Sequence, residues 1–126
     1  MQLLLIITIA VHVLSAVFWA GSTFTLARNR GEGAAALFRA QVVAASLAIL
    51  SGMLLGHLLH RGSFQLTEQV LAVGAVSALL AFLILLTLVR TALKSAGATQ
   101  RLAAGYRASA ALLALTVICM AVSRFV

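Results

Sequence analysis

Aspartate and proline are absent from this chain, cysteine occurs once, and the only acids are Glu32 and Glu68. Each shortage excludes something. Without Asp there is no Ser-His-Asp hydrolase, and two carboxylates placed at the edges of apolar runs supply no paired-acid centre of the kind that separates acid from base roles. A lone Cys119 excludes an intramolecular disulfide. Charged residues make up 9% of the sequence, against about 25% in an ordinary soluble domain. With 63% of its residues apolar, such a chain has too little polar surface to fold in water.

What is present in abundance is long apolar sequence. Crossing the hydrocarbon core takes about 20 apolar residues at about 1.5 Å of rise each, and the 126 residues accommodate four such segments. The spans are expected at about 2–27, 34–60, 68–89 and 102–123. The breaks between them are Arg28-Asn29-Arg30-Gly31-Glu32-Gly33, Arg61-Gly62-Ser63 and the polar stretch Lys94 to Arg101. Thr67 followed by Glu68 is expected to cap the third span, with the acid in its first turn. The opening MQLLLIITIA lacks the basic n-region of a signal peptide and stays apolar to Leu26, so it reads as a retained first span.

Only helices and closed barrels satisfy every backbone group in lipid, and these runs are too long and too evenly apolar for barrel strands. Short connections make consecutive helices antiparallel neighbours. The expected fold is therefore all-α, an integral membrane antiparallel four-helix bundle, up-down-up-down, in one domain over residues 1–126. Gly52 with Gly56, and alanine-rich faces of the second and fourth spans, are expected to permit close helix contact.

The net charge of +7 raises nucleic acid as a partner, but basic residues beside apolar spans report topology and contact with anionic lipid, so no nucleic acid is expected. Arg28, Arg30, Arg39, Arg90, Lys94, Arg101 and Arg107 flank the first and third connections, seven in all, against Arg61 and Arg124 at the other end. The positive-inside rule then puts both termini and the Arg61 loop outside.

Ionisable and soft-donor side chains inside spans are few, and an ionisable group at membrane depth is a functional hypothesis by default. His12 lies about 15 Å from the outer end of the first span. Met53, His57 and His60 follow an i, i+4, i+7 spacing along one stripe of the second. Cys119 and Met120 lie about 9 Å from the same surface in the fourth. Imidazole, thioether and thiol are the donors soft copper prefers, and imidazole also suits haem iron. His12, Met53, His57, His60, Cys119 and Met120 form the candidate metal set; His12 and His57 are the candidate haem ligands. Against this stand the ordinary roles: methionine as core filler, Cys119 as a small buried hydrophobe, His60 at the interface, Trp19 in helix packing, and Arg39 and Arg107 reaching to the inner interface.

His12-Val-Leu-Ser-Ala-Val-Phe-Trp19-Ala-Gly21-Ser22 resembles the first-helix pattern of the copper-resistance-D-like membrane proteins, which carry His, then Trp seven residues on. Leu37-Phe38-Arg39 and Ser51-Gly52 are similar to that family's second-helix features. The J-type protoporphyrinogen oxidases have a similar His-to-Trp first helix. The resemblance implies a multi-pass protein of the bacterial cytoplasmic (inner) membrane whose first-helix histidine binds copper or haem b. Copper handling near the outer face is the first expectation; the alternatives are a b-type cytochrome in electron transfer and an accessory subunit of a larger membrane complex. No residue set specifies an enzyme, though a haem would make the protein an oxidoreductase. Besides the lipid bilayer, the expected partners are a second copy or other subunits.

Overall fold

The computed structural model describes residues 1–59, 65–94 and 99–126. Helix α1 runs Gln2–Arg28 and α2 runs Ala34–Leu59. Helix α3 runs Leu66–Ile84 and continues without a break through a π-helical turn, Leu85–Val89, and a last α-helical turn, Arg90–Lys94. Helix α4 runs Thr99–Val122 and ends in a 3₁₀ turn, Ser123–Phe125. All four are long and apolar enough to cross a membrane.

Pairs of close residues show the antiparallel order. His12 lies against Gly52 and Ser22 against Gln41, so α1 descends as α2 rises. Gly74 lies against Cys119 and Gly105 against Val89, which does the same for α3 and α4. The bundle is therefore up-down-up-down, as expected. The basic end gathers the first connection and the start of α4, where Leu102 packs on Gly31. The terminal end brings the start of α3 to the C-terminus, where Thr67 Oγ1 donates to the carbonyl of Val126 at 2.7 Å. Contacts are most extensive between α1 and α2 and between α3 and α4; α1 also packs along α4.

The bundle's exterior is apolar, and its interior combines alanines and polar groups with a few large side chains, Trp19, Leu26, Leu85, Tyr106 and Leu113 among them. Leu14 is 72% exposed, while Gln41, Ala45 and Ala81 are fully enclosed. Lipid tails are as apolar as leucine, so nothing drives leucine inward, and close contact between small residues holds the helices together. Most hydroxyls inside the spans find acceptors in the preceding turn; the buried Ser109 hydroxyl of α4 has no partner among the described residues. Thr8 donates to Leu4 O at 2.7 Å, Ser15 to Val11 O at 2.6 Å and Ser77 to Val73 O at 2.9 Å. This local bonding lets a hydroxyl sit in hydrocarbon without an orphaned proton.

Several expected details are corrected. Gln65, not Thr67, caps α3: its backbone N–H donates to Glu68 Oε2 at 2.9 Å in a reciprocal capping box. Glu68 is thus the third helical residue, and the helix begins earlier and ends later than 68–89. The alanine-rich face of α2 is buried, with Ala44, Ala45 and Ala48 inside, but α4 buries Gly105, Tyr106, Ser109 and Leu113 instead of its alanines. Gly52 makes a close approach; Gly56 does not, because a Cβ there would meet nothing within 4 Å.

The first connection is built on a helix stop. The N–H of Gly31 donates to Leu26 O at 2.7 Å, the six-residue closure of a Schellman motif. The residue in the left-handed position of that motif is Arg30, with φ 55°, where glycine or asparagine is the usual occupant. Gly31 follows at φ 81°, and a Cβ there would lie 2.6 Å from Leu102 Cγ, so only glycine fits both the backbone and the packing.

Candidate functional site

His12 points from α1 into α2. Its Nδ1 lies 2.9 Å from Ala48 O and 3.1 Å from Ser51 Oγ. A carbonyl only accepts, so Nδ1 carries the proton. Ser51 is consistent with this: its own hydroxyl donates back to Leu47 O at 2.5 Å, leaving its oxygen free to accept from the imidazole. In the neutral ring the lone pair is then on Nε2, which has no hydrogen-bond partner among the described residues. An imidazole whose Nδ1–H is held by a backbone carbonyl, with Nε2 left open, is the arrangement a metal-ligating histidine takes.

Gly52 makes room for the ring. A Cβ at that position would lie 3.0 Å from His12 Cε1 and 4.0 Å from Nε2. The Ser51-Gly52 pair therefore acts as one unit: the serine accepts a hydrogen bond and the glycine provides clearance.

The other candidate donors do not join His12 within the chain. Met53 is 66% exposed on the outside of α2. His57 is exposed in the last turn of that helix and has no hydrogen bond among the described residues. Cys119 is buried against Gly74, where a glycine Cβ would come within 3.0 Å of its own Cβ, so it packs between α3 and α4 as a small hydrophobe. Met120 faces outward beside it. His60 lies outside the described residues. Among those described, no three of His, Cys, Asp and Glu converge. Trp19 serves packing: it is buried and meets Phe82 of α3 edge-to-face with ring centroids 6.3 Å apart.

A second polar centre lies deeper toward the basic end. Tyr106 donates its hydroxyl proton to Gln41 Oε1 at 2.7 Å, and Gln41 Nε2 donates to Ser22 Oγ at 3.0 Å and reaches Thr23 Oγ1 at 3.4 Å. Both hydroxyls of α1 donate in turn to Trp19 O, Thr23 at 2.7 Å and Ser22 at 3.1 Å. Donors and acceptors run in one direction from α4 through α2 to the backbone of α1. The hub of this centre, Gln41, is uncharged, so neither charge nor sulfur marks it in the sequence. An amide in the middle of an apolar span was the available signal.

No family model, curated protein or solved structure matches the chain.

Proposed function

We propose that this protein holds a metal centre in the outer half of a bacterial inner membrane, with Nε2 of His12 as its ligand, and that haem b is the centre the geometry supports best. The observation carrying this reading is the anchored Nδ1–H of His12 facing Ala48 O, which fixes the ring and leaves Nε2 free. Donor arithmetic favours haem over copper. A porphyrin brings its own four nitrogens, so a haem iron asks one or two axial imidazoles of the protein. A copper site built from side chains asks for several converging donors, and among the described residues no three of His, Cys, Asp and Glu converge. The chemistry a haem would supply is one-electron transfer; the part of the chain is to orient the imidazole and exclude water. The His12-to-Trp19 pattern, similar to copper-resistance-D-like proteins and to J-type protoporphyrinogen oxidases, supports the same region.

Copper handling is the second reading, favoured by the unengaged His57 at the same end of the bundle. Among the described residues no other donor joins His12, so on this reading a second copy of the chain supplies part of the donor set.

A visible spectrum of the detergent-purified protein tests these readings. The expected result is a Soret band that shifts on dithionite reduction and is lost in His12→Ala. A colourless protein with stoichiometric copper selects the second reading. A protein with neither cofactor removes the metal function and leaves an accessory subunit of a membrane complex; full cofactor content in His12→Ala overturns His12 as the ligand.

A further inference from the structure

At the basic end an open groove of about 410 Å³ lies between the first connection and the start of α4, lined by Arg30, Gln100, Ala103, Ala104 and Arg107. The four α4 residues follow i, i+3, i+4, i+7 spacing and form one stripe of that helix. Arg107 is about 10 Å along the axis from Gln100. The stripe thus runs from the polar rim toward the hydrocarbon, with two alanines as its floor. Gly31 lets Leu102 come into contact with the loop, and this places Arg30 across from the stripe. Among the described residues neither arginine is bonded to a carboxylate. Arg30 occupies a backbone conformation that glycine adopts more readily, so the guanidinium is held beside the stripe at a backbone cost.

We propose that this groove binds the phosphodiester of an anionic phospholipid, with Arg30 and Arg107 on the phosphate oxygens, Gln100 on the polar headgroup and the Ala103–Ala104 floor against the glycerol and first acyl carbons. Arginine forks match phosphate oxygens in geometry as well as charge. A volume of a few hundred Å³ fits a glycerophosphate head. The apolar floor distinguishes a lipid from a free anion, since inorganic phosphate has nothing to place on alanine.

The test is native mass spectrometry of the delipidated full chain, titrated with phosphatidylglycerol and with phosphatidylcholine of the same acyl chains. Phosphatidylglycerol is expected to bind more tightly. Arg30→Gln and Arg107→Gln are each expected to weaken it about fivefold, with little effect on phosphatidylcholine; Arg124→Gln, at the other end, is expected to leave binding unchanged. Arg30→Gly loses the guanidinium while suiting the turn, so it carries the test should Arg30→Gln fail to fold. Inorganic phosphate at millimolar concentration is expected not to displace the lipid. Equal binding of the two lipids, wild-type binding by Arg30→Gly and Arg107→Gln, or displacement by inorganic phosphate overturns the proposal.

Discussion

The hydroxyl of Tyr106 on α4 donates to Gln41 Oε1 on α2 at 2.7 Å, and Gln41 carries the connection on to Ser22 and Thr23 of α1. One fully buried amide thus joins three helices. Removing only the phenolic end should be mild, because hydrogen bonds between membrane helices average about 0.6 kcal/mol and reach about 1.7. Removing the amide should be worse, since it orphans Tyr106 and opens a cavity, at about 2–5 kcal/mol. Tyr106→Phe is therefore expected to lower the unfolding free energy in detergent slightly, and Gln41→Ala severely. Equal losses would show that Gln41 is not the hub.

Gly52 and Gly56 should respond differently to the same change. Alanine in place of glycine inside a helix gains about 1 kcal/mol. At Gly56 nothing lies within 4 Å of the new Cβ, so Gly56→Ala is expected to raise stability by about that amount. At Gly52 the new methyl meets His12 Cε1 at 3.0 Å, and overpacking of about 1–3 kcal/mol offsets the helix gain. Gly52→Ala should leave thermal stability unchanged or lower while tilting the imidazole off Ala48 O. Cofactor content should therefore fall in Gly52→Ala and hold in Gly56→Ala, read from the visible spectrum or elemental analysis.

Span number and fold class were legible because lipid imposes one demand, about 20 apolar residues per crossing, and the breaks between runs are charged. Finer features lacked such a signal. Leu85–Val89 reads like any other leucine-rich turn, so nothing marks its π-helical winding. The α3 cap shifted because glutamine competes with threonine for the same role, and Glu68 reaches back to Gln65 and not to Thr67. At the site, the depth of His12 was readable from its position in the run. Its main partner was not, since the carbonyl of Ala48 leaves no trace in the residue type. Helical spacing grouped Met53 with His57, but which way that stripe turns depends on tertiary packing, and Met53 ends up on the exterior.

Arg30 and Gly31 sit side by side in left-handed backbone, and substituting them should have opposite outcomes. A non-glycine residue there costs about 1–2 kcal/mol, so Arg30→Gly is expected to stabilise the turn by about 1 kcal/mol. Gly31→Ala incurs that cost and also drives a methyl to 2.6 Å from Leu102 Cγ. The combined loss is about 2–4 kcal/mol. Thermal unfolding of the two variants in one detergent checks both signs, and a Gly31→Ala variant as stable as the parent would mean that the loop and α4 are not in contact.

The side of the membrane on which each end lies decides whether His12 is in the outer or inner half. Seven Lys and Arg residues near the first and third connections against two at the other end set a strong inward preference for the Arg30 loop. Glu32, exposed in that loop, and Val126, exposed at the chain's end, are suitable reporters, and the single native cysteine is buried. In intact cells a membrane-impermeant maleimide is expected to label Val126→Cys and to spare Glu32→Cys until the cells are permeabilised. The reverse pattern would put the His12 centre in the cytoplasmic half and the Arg30–Arg107 groove in the outer leaflet. Labelling of both in intact cells is incompatible with α1 crossing the bilayer once, since both termini share one end of the bundle and Glu32 lies at the other.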